Sequence, residues 1–288
     1  MTTLVSLDGR IVPPERAEVS VFDRGFLYGD SVFEVLRTYG GVLFGFDEHL
    51  ARLEQSAALA LIEFSDVETL RREVLAVVRA TGNTETYVRI VVTRGSGKAL
   101  GLDPLLARAP LRVVIATDVP VPPAWMYQRG ISVITHRTQR ISEGTSAVGS
   151  KLGNYLLSIL ATHEAHARGA EEALILNAAG EIVEGTTSNV FLVKEGALVT
   201  PPDEAGLLAG ITRAKVLELA RSFGIPCELR TFAPAELAAA DEAFITSSIR
   251  ELVPVVAMDG KPAGGGKPGP LTARLLEAYR ALTLASSA

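Results

Sequence analysis

The run Glu181-Ile-Val-Glu184-Gly-Thr-Thr-Ser-Asn189-Val-Phe-Leu-Val193 places a carboxylate directly before a small, hydroxyl-rich turn. The turn leads into a short apolar stretch, which predicts a strand from Val190 to Val193. On its own, this pattern also fits the polar tip of an ordinary hairpin. The role of the run therefore depends on the segments that come before and after it in the chain.

Upstream of this run, Lys151 stands between a polar, glycine-containing stretch and an apolar helix predicted from Leu152 to Arg168. Gly153, Asn154 and Tyr155 follow it closely. Because most lysines in proteins are solvated, position alone does not make Lys151 a reactive group.

Downstream of the run, two polar turns lie at the edges of predicted elements. Gly210 precedes a helix predicted from Ile211 to Phe223, whose free N–H groups and positive dipole end could bind an anion. The hydroxyl of Thr212 would add to such a site, although an ordinary helix cap explains the pattern better when it is taken alone. Thr246-Ser247-Ser248 forms a second hydroxyl cluster, at the end of a strand predicted from Glu242 to Thr246.

The first part of the chain predicts both strands and helices. Leu4 to Leu7 and Ile11-Val12 form the arms of a predicted hairpin around the turn Asp8-Gly9. A further strand is predicted from Val32 to Tyr39, and Asp47 is the candidate N-cap of a helix with apolar residues at helical spacing. Elements of both kinds along the chain indicate an α/β (α+β) fold.

The segment Asp118-Val-Pro-Val-Pro-Pro-Ala124 separates the two parts of the chain. Its prolines forbid a continuing element and favour an extended connector. At about 150 residues per domain, a chain of 288 residues has room for two domains. We therefore predict a first domain at residues 1–117, a connector at 118–125 and a second domain at 126–288.

Composition excludes several classes of protein. Lys and Arg number 28 and Asp and Glu 33, so the net charge of −5 argues against a nucleic-acid binder that neutralises phosphates. The single cysteine, Cys227, excludes an internal disulfide. No secretory signal and no bilayer-spanning apolar stretch are visible, so we expect a cytoplasmic protein that does not enter a membrane.

Three familiar motifs fail. The run from Gly95 to Gly101 resembles a dinucleotide-binding loop, but its last spacing is one residue too long. His163 and His166 lie one helical turn apart, yet with only 4 histidines and no HExxH motif a solvated helix face explains them better than zinc. Ser150-Lys151 lacks the spacing of acyl-transfer enzymes. We expect no metal and no hydrolase chemistry.

Taken in order along the chain, these segments resemble the fold-type IV pyridoxal-phosphate enzymes. That family contains branched-chain aminotransferases, D-amino-acid aminotransferases and aminodeoxychorismate lyase. The resemblance covers nearly the whole chain, and it implies a small N-terminal α/β domain followed by a larger C-terminal pseudo-barrel domain. The matching segments are Phe22 to Arg37, His49 to Leu53, Lys151 to Tyr155, Glu184 to Phe191, Gly210 to Arg213 and Phe244 to Pro254.

The resemblance implies pyridoxal 5'-phosphate as the cofactor, bound in the cleft between the two domains. Lys151 would form the Schiff base and shuttle the substrate Cα proton, while Glu184 would keep the pyridine nitrogen protonated. Tyr155 would contact the phenolic oxygen, and Arg52 would bind the phosphate. The other implied contacts are the amides of Ile211 and Thr212 at the phosphate, Leu208 beneath the ring, Thr187 and Asn189 in the pocket, and Ser247 and Ser248.

The family places a carboxylate trap among residues of the first domain. Tyr87-Val88-Arg89 resembles the branched-chain aminotransferases, whereas Phe33-Glu34-Val35 departs from their usual Phe-Glu-Gly pattern. Thr93-Arg94-Gly-Ser-Gly97 also resembles the aminodeoxychorismate lyases. The candidate substrate-binding residues are Tyr28, Phe33, Arg37, Arg89 and Arg94.

The resemblance implies an aminotransferase that moves the amino group of an apolar, branched-chain-like amino acid to a 2-oxo acid. Pyruvate elimination by an aminodeoxychorismate lyase and transamination of D-amino acids remain alternatives, because one scaffold serves all three outcomes. A phosphate-ligand binding protein without catalysis is the alternative from another class. The family also implies a homodimer.

Overall fold

The computed structural model describes residues 2–64, 66–107, 109–137 and 149–286. The chain divides into two compact units. The first contains the residues up to Pro120 together with the short segment Ser150–Asn154, and the second contains Val121–Gly149 and Tyr155–Ala285. The division lies inside the predicted connector. Most of the polar stretch before Lys151 lies outside the described residues.

The first unit is a six-stranded antiparallel sheet in the order β2-β1-β6-β5-β3-β4, with two long helices against it. Its strands are β1 (Leu4–Leu7), β2 (Arg10–Val12), β3 (Ser31–Tyr39), β4 (Val42–Leu43), β5 (Thr86–Thr93) and β6 (Leu111–Asp118). Its helices are α1 (Arg24–Tyr28), α2 (Phe46–Leu59) and α3 (Val67–Thr81).

Local sequence explains most of these elements. The predicted hairpin is confirmed: β1 pairs with β2, and Asp8 and Gly9 both adopt positive φ, 47° and 85°, as the tight turn requires. The predicted N-cap of α2 is wrong. The helix begins at Phe46 with Gly45 as its cap, while Asp47 lies in the first turn and pairs with Arg71.

Alternation along β3 decides which side chains meet the helices. Val32 and Leu36 are fully buried and pack with Leu50 and Leu53 of α2 in the core of the first unit. Glu34 lies between them on the same face and is likewise fully buried. A carboxylate in such a place needs partners, and α2 supplies them.

The second unit is a nine-stranded mixed sheet with helices around it. Its strands are β7 (Ile131–Arg137), β8 (Glu172–Leu176), β9 (Ile182–Gly185), β10 (Asn189–Lys194), β11 (Ala197–Thr200), β12 (Cys227–Leu229), β13 (Glu242–Ser247), β14 (Glu251–Met258) and β15 (Lys261–Pro262). Its helices are α4 (Ala124–Arg129), α5 (Leu156–Ala167), α6 (Ile211–Ser222), α7 (Pro234–Ala238) and α8 (Pro270–Ala285).

This sheet curls into a half-barrel. Its strand order is β12-β11-β10-β13-β14-β7-β8-β9, with β15 beside β14, so β9 and β10 are separated by other strands. Yet β9 and β10 are joined by a short turn, closed by a hydrogen bond of 2.7 Å from Gly185 N–H to the Ser188 carbonyl. The sheet must therefore bend back on itself. Apolar side chains from both halves, including Ile131, Leu174 and Val253, fill the interior.

The segment around Lys151 pairs with the first unit. Phe33 N–H donates to the Lys151 carbonyl at 3.0 Å, and Gly153 N–H donates to the Ser31 carbonyl at 2.8 Å. A Cβ on Gly153 would lie 2.0 Å from Ser31 Oγ, so glycine permits this close approach. The helix predicted from Leu152 consequently starts later, at Leu156. In the part of the chain that the structure describes, no helix combines the length and apolarity needed to cross a bilayer.

Candidate active site

Lys151 is held from two sides within the first unit. Its carbonyl accepts from Phe33 N–H, and its own N–H donates to Ser56 Oγ on α2 at 3.2 Å. Its Nζ lies 4.7 Å from the centroid of the Phe33 ring, within the range of a cation–π contact. The backbone that carries the predicted reactive amine is thus fixed by both β3 and α2.

Phe33 brings Lys151 and Arg89 together. The Arg89 guanidinium lies 4.1 Å from the centroid of the same ring, and Phe33 is 2% exposed. Arg89 stands opposite Val35 in the β3–β5 ladder, so it projects from the face of the sheet that also carries Phe33. The structure therefore places a predicted cofactor residue, Lys151, and a predicted substrate residue, Arg89, against the buried ring of another predicted substrate residue, Phe33.

Arg52 is bound to a buried carboxylate that sequence reasoning missed. Its Nε and Nη2 donate to the two carboxylate oxygens of Glu34, both at 2.7 Å, in a fork-like pair. His49 Nδ1 lies 2.7 Å from Glu34 Oε2. His49 and Arg52 are one helical turn apart on α2, and Glu34 stands in an apolar strand. From the sequence, only this helical spacing and the carboxylate within an apolar strand could have indicated the cluster.

The charges of this cluster follow from burial and pairing. Burial opposes ionisation of Glu34, but the charge and hydrogen bonds of Arg52, with help from His49, hold the pKa of Glu34 down to about 2. Burial lowers the pKa of His49, against the opposing effect of Glu34. At neutral pH the carboxylate is therefore ionised and the imidazole neutral. Because an ionised carboxylate only accepts, Nδ1 carries the imidazole proton.

The other predicted substrate residues lie in separate surroundings. Tyr28 Oη accepts a hydrogen bond of 3.2 Å from Gly101 N–H, and Tyr28 is 39% exposed. The Arg37 guanidinium lies 4.3 Å from the centroid of the Tyr39 ring. Arg94 is buried: it donates to both oxygens of Asp30 and to the carbonyls of Ala60 and Leu61. Its donors serve the first unit itself.

In the second unit, Glu184 and Asn189 hold the backbone of Leu208 between them. Glu184 Oε2 accepts from Leu208 N–H at 3.1 Å, and Asn189 Nδ2 donates to the Leu208 carbonyl at 2.9 Å. Both polar side chains are buried, at 3% and 6% exposure. Three of the predicted cofactor residues thus form one connected group.

The start of α6 joins this group. Gly210 is its N-cap, and no side chain caps the helix. A Cβ on Gly210 would lie 1.9 Å from Asn189 Oδ1, so the close approach requires glycine. Ile211 and Thr212 follow in the first turn, where backbone N–H groups have no partner within the helix. The Thr212 hydroxyl lies 3.4 Å from the Tyr279 hydroxyl.

A buried hydroxyl beside the same group fits an anion. Thr246 stands opposite Asn189 in the β10–β13 ladder and is 1% exposed. Among the described residues, its Oγ1 has no hydrogen-bond partner. An unpaired hydroxyl in such a place is costly unless a ligand completes it. Together with the amides of α6, it supplies the donors that a phosphate group requires.

A second buried carboxylate that sequence reasoning missed lies beside the hydroxyl-rich turn. Glu172, 2% exposed, accepts from Thr186 N–H at 3.1 Å, from Ser188 Oγ at 3.2 Å and from Arg250 Nη2 at 2.5 Å. Arg250 also donates to Thr187 Oγ1 at 3.0 Å. Glu172 opens the apolar strand β8, so its charge among apolar neighbours was the only signal in the sequence.

The remaining predicted residues lie at element ends. The Ser247 hydroxyl accepts from Arg250 N–H at 3.2 Å. Ser248 follows it in the same turn and is half-buried. Tyr155 is the N-cap of α5, and its carbonyl accepts from Ile159 N–H at 2.9 Å.

A curled half-barrel and a buried polar cluster at its strand ends, in a chain with a fixed lysine, define a class of enzyme. Residues 31–258 match the family model for amino-transferase class IV. The chain belongs to this family and is a transaminase of class IV. The resemblance to fold-type IV enzymes noted from the sequence is confirmed.

Relatives and solved structures agree over nearly the full length. A Methanocaldococcus jannaschii protein assigned as a branched-chain-amino-acid aminotransferase is 40% identical over 280 residues, 96% of this chain and 95% of its own. D-alanine aminotransferase of Bacillus licheniformis is 35% identical over 292 residues, 99% of this chain and 98% of its own. The structure of Escherichia coli branched-chain aminotransferase matches with a TM-score of 0.93 and 31% identity, covering 98% of this chain and 95% of that one.

Two further structures extend the comparison. A solved branched-chain amino acid aminotransferase complexed with N-(5'-phosphopyridoxyl)-L-glutamate matches with a TM-score of 0.89 and 32% identity, covering 98% of this chain and 94% of that one. The 4-amino-4-deoxychorismate lyase of Pseudomonas aeruginosa matches with a TM-score of 0.84 and 34% identity, covering 96% of this chain and 98% of that one. The family thus includes more than one reaction on this fold.

The Glu34 cluster predicts an acid-dependent stability. Because the folded pKa of Glu34, about 2, lies below the ordinary value of 4.5, its ionised form stabilises the fold fully above pH 4.5 and progressively less toward pH 2. We expect Glu34→Gln to lower the free energy of unfolding by about 3 kcal/mol at pH 7. The difference from the wild type should shrink below pH 4.5. Urea unfolding at several pH values between neutral and acidic measures both.

The control is Glu54→Gln, which changes an exposed carboxylate on α2, the helix that holds Glu34. It should change stability by less than about 0.5 kcal/mol at every pH. A Glu34→Gln effect that is equally large in neutral and in acidic solution would contradict the assigned ionisation.

Proposed function

We propose that this chain transfers the amino group of a branched-chain amino acid to a 2-oxo acid, with pyridoxal 5'-phosphate as its cofactor. The observation that carries the proposal is Lys151, whose backbone is fixed and whose amine lies beside Phe33, in a chain that belongs to the class IV aminotransferases. Relatives named for branched-chain substrates and a solved relative holding a phosphopyridoxyl compound support the substrate and the cofactor.

The residues present fit this cofactor. The unpaired Thr246 hydroxyl and the uncapped start of α6 supply neutral donors for a phosphate, and the predicted contact from Arg52 would add a permanent positive charge. Glu34 occupies Nε and Nη2 of Arg52, which orients the guanidinium. We propose that Tyr155, Ser247 and Ser248 complete the cofactor contacts.

When bound, the cofactor supplies a ring that withdraws electrons from the substrate Cα. Lys151 Nζ would act as the base that takes the proton from the substrate Cα. It would then donate this proton to the carbon whose protonation completes the amino transfer. Its fixed backbone keeps the amine at one position through both steps. Glu184 would hold a proton at the ring nitrogen, and its own position is set by the N–H of Leu208.

Substrate binding is proposed on the Phe33 side of the first sheet. Arg89 would attract a carboxylate, while the Phe33 ring offers an apolar surface to a branched side chain. Tyr28 and Arg37 stay as predicted further contacts. Arg94 donates to Asp30, so it would support substrate binding by stabilising the first unit and not by contacting the substrate.

A second candidate substrate class is supported by one comparison. D-alanine aminotransferase of Bacillus licheniformis aligns over 99% of this chain. An L- and a D-amino acid that point the Cα proton at the same base exchange the positions of carboxylate and side chain. Handedness therefore depends on where the carboxylate is bound. Pyruvate elimination remains the third outcome, as in the lyase of the same fold.

Titration of the loaded enzyme with L-leucine tests the main proposal. We expect the visible absorbance of the bound cofactor to fall as the amino group is transferred, and to return when a 2-oxo acid is added. D-alanine is the matched titrant: a response to D-alanine alone would move the D-amino-acid function ahead. Release of pyruvate from aminodeoxychorismate without amino transfer would favour the lyase.

Substitution of the lysine tests the chemistry itself. Lys151→Ala should lower turnover by at least about 10²- to 10⁴-fold, because the proton-transferring amine is lost. Lys267→Ala, at an exposed lysine in a glycine-rich segment, is the control and should keep full activity. Full turnover in Lys151→Ala would reject the assignment of Lys151 as the base. An absence of turnover in the wild type itself would instead leave a phosphate-ligand binding protein as the better description.

We further propose that the chain forms a homodimer in the cytoplasm. The family resemblance implies the dimer, and the lone cysteine fits a reducing compartment. On α5, Leu156, Ile159 and Leu160 lie at helical spacing and are 65%, 60% and 52% exposed. A second copy that covers this face would remove it from water.

Ile159→Glu should therefore yield a monomer in analytical ultracentrifugation, since a buried charge in an apolar contact is strongly unfavourable. Leu284→Glu, at a similarly exposed leucine on α8, is the control and should leave the assembly unchanged. A dimer that persists in Ile159→Glu would place the contact elsewhere.

A further inference from the structure

We infer that Glu172 is a positioning residue that determines which hydroxyls of the second unit can donate a hydrogen bond to the cofactor. The inference rests on the proposed function, because it assigns a task to residues near the cofactor-binding groups. It concerns two turns: the hydroxyl turn, Thr186-Thr187-Ser188, and the arginine turn, Ser247 to Arg250. Glu172 lies on β8, outside both turns, and contacts each of them.

Glu172 fills its acceptor capacity with these contacts. Its Oε1 accepts from Thr186 N–H, Thr186 Oγ1 and Ala173 N–H, and its Oε2 accepts from Ser188 Oγ and Arg250 Nη2. A carboxylate offers about four lone-pair sites, so every site is in use. Because Glu172 is only 2% exposed, water cannot replace a hydrogen-bond partner that its carboxylate loses.

In the hydroxyl turn, the contacts with Glu172 and Arg250 determine whether each hydroxyl donates its proton within the protein or keeps it for a ligand. Thr186 and Ser188 hydroxyls donate to Glu172, so their protons are used inside the protein. Thr187 Oγ1 instead accepts from Arg250 Nη2 at 3.0 Å. A hydroxyl that accepts from an N–H keeps its own proton for another acceptor. Thr187 is exposed and is therefore the member of the turn that can donate to a ligand.

The same distinction applies to the Ser247 hydroxyl in the arginine turn. The Ser247 hydroxyl accepts from Arg250 N–H at 3.2 Å, so its proton also stays available. One residue, Arg250, thus sets the hydroxyls of both Thr187 and Ser247 as donors. Glu172 holds Arg250 through the 2.5 Å ion pair, whose carboxylate is buried and whose guanidinium is 20% exposed. Donors oriented before binding favour an anionic ligand, because no reorganisation is needed when it arrives.

A substitution at Glu172 with a matched control tests this role. Glu172→Gln keeps the shape but turns one acceptor into an N–H donor that faces Arg250 and Ser188. We expect the dissociation constant of pyridoxal 5'-phosphate, measured by absorbance titration of the cofactor-free protein, to rise at least about tenfold. Glu242→Gln is the control: this carboxylate is also buried, at 6% exposure, but it caps α8 through Leu271 and Thr272. It should lose stability and keep cofactor affinity.

Two further variants separate positioning from simple destabilisation. Thr187→Val removes the exposed hydroxyl and should weaken cofactor binding about tenfold while the melting temperature of the cofactor-free protein stays unchanged. Glu172→Gln combined with Arg250→Gln should bind no more weakly than either single variant, since both act through one pair. Thr187→Val also decides the matter if Glu172→Gln does not fold.

The inference is overturned if Glu172→Gln or Thr187→Val binds the cofactor as tightly as the wild type. It is equally overturned if Glu242→Gln loses as much affinity as Glu172→Gln, since the effect would then follow stability alone. Failure of the proposed function looks different. In that case the wild type itself binds no pyridoxal 5'-phosphate and shows no response to amino acids, whereas failure of the inference leaves wild-type binding and turnover intact.

Discussion

The first unit depends on the two parallel hydrogen bonds from Arg52 to the carboxylate of Glu34. They join β3 to α2 through a carboxylate with no exposure, and they fix the helix turn that carries both His49 and Arg52. Removing one member would leave a charge in an apolar core at a cost of about 3–5 kcal/mol. The same strand and helix hold Lys151, so the position of the proposed base and the stability of the core share one origin.

The second unit repeats this device with different partners. Glu172 is almost as deeply buried as Glu34 and is likewise held by an arginine, Arg250, together with short polar side chains. Buried charge pairs contribute little net stability compared with apolar packing of equal volume. What they supply is orientation, because each partner has one low-energy arrangement. For an enzyme that must hold an anionic cofactor and move a proton, fixed donors serve catalysis better than added stability.

Much of this could be predicted from the sequence. The β1–β2 hairpin follows from local turn chemistry, and the ordered matches around Lys151 and Glu184 indicate the family without the structure. The carboxylates Glu34 and Glu172 could not be found, because their partners lie 18 and 78 residues away in Arg52 and Arg250. Local pattern also misplaced the start of α5, since tertiary hydrogen bonds of the segment 150–154 to β3 override the helical periodicity there.

The departure of Phe33-Glu34-Val35 from the Phe-Glu-Gly pattern of branched-chain aminotransferases acquires a physical meaning in the sheet register. Val35 stands directly opposite Arg89 and shares the sheet face of Phe33. A valine there adds a branched apolar side chain where glycine would leave space, so it narrows the room beside the proposed carboxylate contact. The ring and the valine together present an apolar wall next to a cation. Because branched-chain aminotransferases usually have glycine at this position, the smaller space beside Arg89 would favour the more compact apolar side chains among their substrates.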